Sequence, residues 1–269
     1  MYNADKYVTE AIESVLFQTY DNIEFIIIDD GSTDYSYFIA DYYKNNFDNI
    51  ILHKHKKNLG IVFSRNLGFN LMSPKTKYVA IFDADDIMLK DKIAAQVEYM
   101  ENNPDIAACG GHTYIINEKT SVLGERLYET SPEKLKQNIL INSPFAQPTV
   151  MIRESILSSI GNYSADAKFD RARDYDLWVR IADKHKISNM DKHLIQYRVS
   201  TTQGKTIHLK QTIRSTIQIR KKWLLKKGYF NIKALIRHIM EHALLCLPNK
   251  FILWLFKKVS YKPCTGDKI

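Results

Sequence analysis

The chain has 269 residues, 45% of them hydrophobic, with 38 lysines and arginines against 30 acids for a net charge of +8; that is enough apolar content for a full core and argues against a disordered or fibrous chain. Its three cysteines, Cys109, Cys246 and Cys264, are odd in number and far apart, which argues against a disulfide framework or a cysteine-rich zinc cluster and for a reducing compartment. No secretory leader opens the chain, and the longest apolar run of its basic end, Phe251 to Phe256, is too short to cross a bilayer, so a soluble or peripheral protein is expected.

In chain order, Tyr7, Ala11 and Val15 beside Val8, Ile12 and Leu16 predict an amphipathic helix over residues 4–18. An α/β domain usually has a strand before such a helix, and the chain as given leaves no room for one. The run Ile23 to Ile28 predicts a buried strand ending in Asp29-Asp30-Gly31-Ser32-Thr33-Asp34, with acids where open α/β sheets bind ligands. A helix through Tyr37, Ala40 and Tyr43 follows, then a short strand at residues 50–52. Asn58-Leu59-Gly60 then opens another helix containing Arg65, Asn66 and Gly68. A helix amino end with a nearby cation suits an anion such as a diphosphate.

The next strand, Tyr78 to Phe82, reads as fully buried and stops in Asp83-Ala84-Asp85-Asp86; carboxylates at a strand end suit a hard divalent cation. The alternation of strand and helix up to residue 86 predicts a parallel sheet with helices on both faces. Beyond a helix at roughly 89–102 the pattern becomes mixed: strands at 106–117, 121–129 and 149–152, helices at 132–141 and 174–183, and a strand at 194–199. Residues 208–269 hold fourteen lysines and arginines against Glu241 and Asp267, a net of +12, while the rest of the chain stands at −4. Two or three basic amphipathic helices are expected there, including one at 251–258. Tryptophan and phenylalanine among lysines suit an anionic membrane surface, and with the basicity confined to this stretch no nucleic-acid partner is expected.

The order of four motifs is more specific than any one of them. Asp29 to Asp34, Asn58-x-Gly60 with Arg65-Asn66-x-Gly68, Asp83-Ala84-Asp85-Asp86, and Arg173-Asp174-Tyr175-Asp176-Leu177-Trp178 together resemble the family 2 inverting glycosyltransferases of GT-A fold, of the bacterial surface-polysaccharide type. The resemblance covers about residues 1–200 and implies an α/β fold, a GT-A-like mixed sheet flanked by helices, with the first strand apparently missing. It implies a domain over 1–205, split into a nucleotide-binding half at 1–103 and an acceptor-binding half at 104–205; the charge and periodicity above add a basic helical tail at 206–269. By position it implies Asp30 against the nucleotide base, Asp83 near the ribose and Arg65 near the diphosphate. Asp85 would ligate Mn²⁺ or Mg²⁺, Asp174 would be the catalytic base, and Trp178 would support its helix.

The implied donor is a nucleoside diphosphate sugar, a UDP-sugar first among them, and the implied acceptor a hydroxyl of a glycan or lipid-linked molecule at the inner, cytoplasmic face of the cell membrane. The chemistry makes matching demands: a carboxylate to take the proton of a weakly nucleophilic hydroxyl, and positive charge for the departing diphosphate. Arg173 stands where the family usually has glutamate, and Gln147 and Ser200 stand where histidine is common, so no histidine is assigned to metal or diphosphate. Two alternatives remain at this point: an inactive nucleotide-sugar-binding partner, and a nucleotidyltransferase releasing pyrophosphate. The His238-Ile239-Met240-Glu241-His242 spacing matches a zinc-protease pattern but lacks a convincing third ligand.

Overall fold

In the computed structural model, residues 1–200, 208–249 and 251–252 are described. The amphipathic pattern at the start folds as α1 (Val8–Leu16), which buries Val8, Ala11, Ile12 and Val15. The apolar run that follows forms β1 (Phe25–Asp29), which pairs in parallel with β2 (Ile50–Lys54), Phe25 opposite Ile50 and Asp29 opposite Lys54. Between them lies α2 (Ser36–Asn46), and α3 (Ile61–Asn70) starts after Gly60, whose φ of 91° sets the entry to the helix.

The expected continuous parallel sheet is not what forms. The strand before the second acidic cluster, β3 (Tyr78–Ala80), pairs antiparallel with β7 (Met151–Arg153) and belongs to a separate six-stranded sheet of order β3-β7-β5-β8-β4. In that sheet β5 is Ile106–Ile116, β8 is Lys186–Arg198, β4 is the two-residue Ile87–Met88, and β6 (Val122–Arg126) pairs off the path with β5. β1 and β2 form a two-stranded sheet of their own. β3 is half-buried rather than fully buried, because the side of it away from β7 faces a cavity instead of a neighbouring strand.

The remaining helices are α4 (Lys92–Asn102), α5 (Pro132–Asn138), α6 (Glu154–Ile160), α7 (Arg173–Lys184), α8 (Leu209–Leu224) and α9 (Ile232–Leu245). Of these, α4 to α7 pack on the larger sheet, and α8 and α9 pack on each other. α7 buries Tyr175, Leu177, Trp178, Val179, Ile181 and Ala182 in the main core. The basic stretch joins the same core: Ile219, Trp223 and Leu224 of α8 and Ala234 of α9 are buried in it. Arg220 donates to the Leu140 carbonyl at 2.6 Å and pairs with the buried Glu241 at 2.7 Å. Most of the helix expected at 251–258, together with Cys264 and residues 201–207, lies outside the described residues. Among the described residues no helix is long and apolar enough to cross a membrane.

Candidate active site

One cavity of about 1410 Å³ is lined by the ends of both sheets. Its apolar arm is the lining contributed by β1, β3 and α1, including Ile27, Val79, Ala80 and Ile12. Its polar arm collects Asp30, Arg65, Asp83, Asp85 and Asp174, so every sequence-predicted catalytic, nucleotide or metal residue lines one space. Met1 sits beside the end of β1, its amine donating to the Ile28 carbonyl at 2.6 Å and its carbonyl accepting from Asp30 N–H at 2.9 Å. Burial pulls this amine below its ordinary pKa, against the raising influence of Asp29 and Asp83.

Asp30 is buried at the carboxyl end of β1 and grips the loop ahead of α3: its Oδ1 accepts from Leu59 N–H at 2.8 Å and its Oδ2 from Gly60 N–H at 2.9 Å. Each oxygen keeps a second lone pair for a ligand. Gly31 allows this close approach, since it holds φ at 74° and a Cβ there would stand 2.5 Å from the Lys57 carbonyl carbon. Asp30 thus ties the first motif to the second, a link the sequence alone does not reveal.

Arg65 projects from α3 onto the second acidic cluster, where its Nη2 pairs with Asp83 Oδ1 at 2.5 Å. Burial works to lower its pKa, but Asp83, Tyr163 and Asp174 together raise it, so the guanidinium stays charged. It lies 5.5 Å from the ring centre of Tyr163. Tyr163 carries no motif that marks it in the sequence. The structure buries its ring, stacks it on Phe69 at 5.7 Å, and holds its hydroxyl on Gln147 Nε2 at 2.8 Å. Asn66 clamps its backbone from both sides, donating to the carbonyl and accepting from the N–H. Burial pushes the Tyr163 phenol well above its ordinary pKa, so it remains protonated.

A second residue missed from the sequence, Arg198 at the end of β8, braces the Asp83–Asp86 loop. Its backbone N–H donates to Asp86 Oδ1 at 2.8 Å and its Nε to the Asp85 carbonyl at 2.8 Å, while its Nη2 meets Glu10 at 2.6 Å. No local pattern could have found it, because these three partners lie more than a hundred residues away in sequence.

Asp174 stands in the first turn of α7, half-buried, on the wall of the same cavity as Asp83 and Asp85 and near enough to Arg65 to raise its pKa. Its acidic rivals are engaged elsewhere. Asp170 pairs with Arg171 and with Arg173, and Asp176 is buried against Arg180 at 2.8 Å. Arg173, next to Asp174, donates to Asp170 and to the Ser164 carbonyl. Behind the helix Trp178 is fully buried, edge-on to Phe145 at 5.4 Å. The zinc-protease spacing in α9 is filled by structure: Glu241 is taken by Arg220, Arg237 and Thr216. Among the described residues no cluster of three or more acidic, histidine or cysteine side chains forms a metal cage. The donor set on the cavity wall suits an ion held by one or two carboxylates with phosphate and water completing its shell, the mode usual for Mg²⁺.

With that geometry in place, the family model described as glycosyl transferase family 2 matches residues 1–161. An uncharacterized glycosyltransferase of Methanocaldococcus jannaschii is 32% identical over 96% of this chain and 90% of its own length. Longer uncharacterized glycosyltransferases of Rickettsia felis and Rickettsia conorii match over 74% of this chain, which spans about a third of their length. In fold, the chain is similar to S. aureus TarS 1–349 in complex with UDP-GlcNAc, with a TM-score of 0.66 at 18% identity over 90% of this chain and 70% of that one. It is also similar to the mannosyltransferase PcManGT from Pyrobaculum calidifontis in complex with GDP-Man and Mn²⁺, with a TM-score of 0.63 at 15% identity over 97% of this chain and 78% of that one.

Proposed function

The chain belongs to glycosyl transferase family 2, and from that premise we propose that it moves a sugar, with inversion, from a nucleoside diphosphate to a hydroxyl of a glycan or lipid-linked acceptor at the inner face of the cell membrane. The observation that carries the reading is the sharing of one cavity by Asp85 and Asp174, with the Arg65 charge influenced by both Asp83 and Asp174.

In this reading the donor lies in the polar arm, its base toward Asp30 and the loop that Asp30 holds, its ribose near Asp83. Asp85 would hold a divalent ion, Mn²⁺ or Mg²⁺, which when bound offsets the charge that gathers on the departing diphosphate. Arg65, protonated and steadied by Asp83 and Tyr163, adds a fixed positive charge on the same wall. Asp174 accepts the proton of the acceptor hydroxyl as its oxygen bonds to the anomeric carbon, and the bond from that carbon to the diphosphate breaks with the electron pair leaving on the nucleotide. Attack from the face opposite the leaving group inverts the centre. A UDP-sugar is the first donor to try, since TarS is a structural neighbour solved with one.

The test incubates purified protein with a panel of nucleotide sugars and Mn²⁺ and follows release of nucleoside diphosphate. We expect release with one donor class, loss of metal-dependent donor binding in Asp85→Asn, and no pyrophosphate from any nucleoside triphosphate. Unchanged metal-dependent binding in Asp85→Asn would remove that residue from the ion. A second reading, donor binding without transfer, draws on the apolar arm that separates β1 from β3; donor binding with no release of nucleoside diphosphate would select it.

A further inference from the structure

The helix α9 packs one face on the rest of the molecule and leaves an apolar face exposed. Ala234 and Glu241 are buried on the inner side, against the core and α8. On the opposite side Ile232, Ile236, Ile239 and Met240 follow the i, i+4, i+7, i+8 spacing of a single helix face. Ile232 is 59% exposed, Ile239 60% and Met240 54%. The loop leading into the helix also exposes apolar side chains, Phe230 at 70% and Leu225 at 91%. An outer helix with a water-soluble role presents charge on that side; this one presents branched aliphatic side chains.

The chemistry around the patch selects its partner. Lys227 in the preceding loop and Lys233 in the first turn of α9 are exposed, and the only acid of residues 208–252, Glu241, is buried and paired with Arg220 and Arg237. The patch therefore combines exposed aliphatic and aromatic groups with the exposed cations Lys227 and Lys233, while the neighbouring Lys226 is paired with Asp183 of α7. That is the pairing of features that holds a helix in the plane of an anionic bilayer.

We propose that the outer face of α9, with Phe230 and Leu225, is the surface by which this protein lies on an anionic lipid bilayer. The proposal deepens the transferase reading, on which it rests for its purpose: a lipid-linked acceptor would be met at the same surface. Binding itself needs neither donor nor turnover, so the two ideas fail separately.

The experiment is co-sedimentation of the protein, without any nucleotide sugar, with vesicles of phosphatidylglycerol and phosphatidylcholine in equal parts, and with vesicles of phosphatidylcholine alone. Strong binding is expected only to the first, weakened by high salt. Lys227→Glu and Lys233→Glu should each weaken it by about fivefold or more, the equivalent of one surface cation. The double variant Ile236→Asp/Ile239→Asp should reduce it by about tenfold or more while leaving the melting temperature and donor binding unchanged, since both side chains already face solvent. Equal binding to both vesicle types, or undiminished binding by the aspartate variant, would overturn the proposal. So would concentration-dependent self-association of the free protein that the aspartate variant abolishes, because the face would then belong to a second copy.

Discussion

The two halves of the molecule meet at the cavity with different packing. In the second half β5 is buried along nearly its whole length, α7 sinks its apolar side into the core, and α8 and α9 close over that core. In the first half the two sheets share no hydrogen-bonded strands, and the apolar residues fall into smaller clusters on either side of the cavity. The proposed donor-binding residues Asp30, Arg65, Asp83 and Asp85 thus sit on the loosely closed half, and the base candidate Asp174 on the densely packed one. The difference teaches that the proposed base is positioned before any ligand arrives, whereas the donor side has the most to gain in order from binding.

The comparison can be broken by truncating one core residue in each half. Trp178→Ala should cost about 3–5 kcal/mol, because the indole is fully enclosed and its loss leaves a void. Val79→Ala, on a strand that already faces the cavity, should cost about 1 kcal/mol or less. Equal losses in denaturant titrations would contradict the difference in packing.

The next test uses a charge within the first half. Lys92 of α4 is fully enclosed, its Nζ makes no hydrogen bond among the described residues, and burial brings its pKa down from 10.5 to about 7. Between about pH 7 and 10.5 the unfolded chain holds a proton that the folded chain does not, so stability rises with pH through that window and is lowest below it. Lys92→Met should flatten that rise and stabilise the protein by about 2 kcal/mol near pH 6. A pH-stability profile unchanged by the substitution would show that the amine finds water or a partner.

Much of this was legible in the sequence, for reasons that also explain the misses. Local periodicity found α1, β1, β2 and α7 because each carries its own apolar pattern, and the strand-end acids identified the cavity wall. It failed where neighbours are chosen at long range. Alternating strands and helices name element types, not which strand lies beside which, so the split between β1 and β3 went unread. The start of β8 was missed because Ser188 and Asn189 look like loop residues; they are buried and donate to the carbonyls of Thr130, Glu129 and Pro144. Gln147, noted only as a departure from histidine, holds the buried Tyr163.

The smallest expected effect separates the packing role of Tyr163 from an electrostatic one. Tyr163→Phe keeps the ring beside Arg65 and removes the bond to Gln147, so it should cost about 1 kcal/mol of stability and change donor affinity little. A large loss of donor binding would make the hydroxyl a direct ligand contact and move part of the donor site onto the denser half.

The most direct test of the account compares Asp174→Asn with the unaltered protein, reading donor binding by calorimetry and transfer by nucleoside diphosphate release on one preparation. The account predicts that donor affinity stays within about twofold while turnover falls by about 10²- to 10⁴-fold, the usual worth of a general base. Undiminished turnover, or a donor affinity that falls in step with turnover, would contradict it.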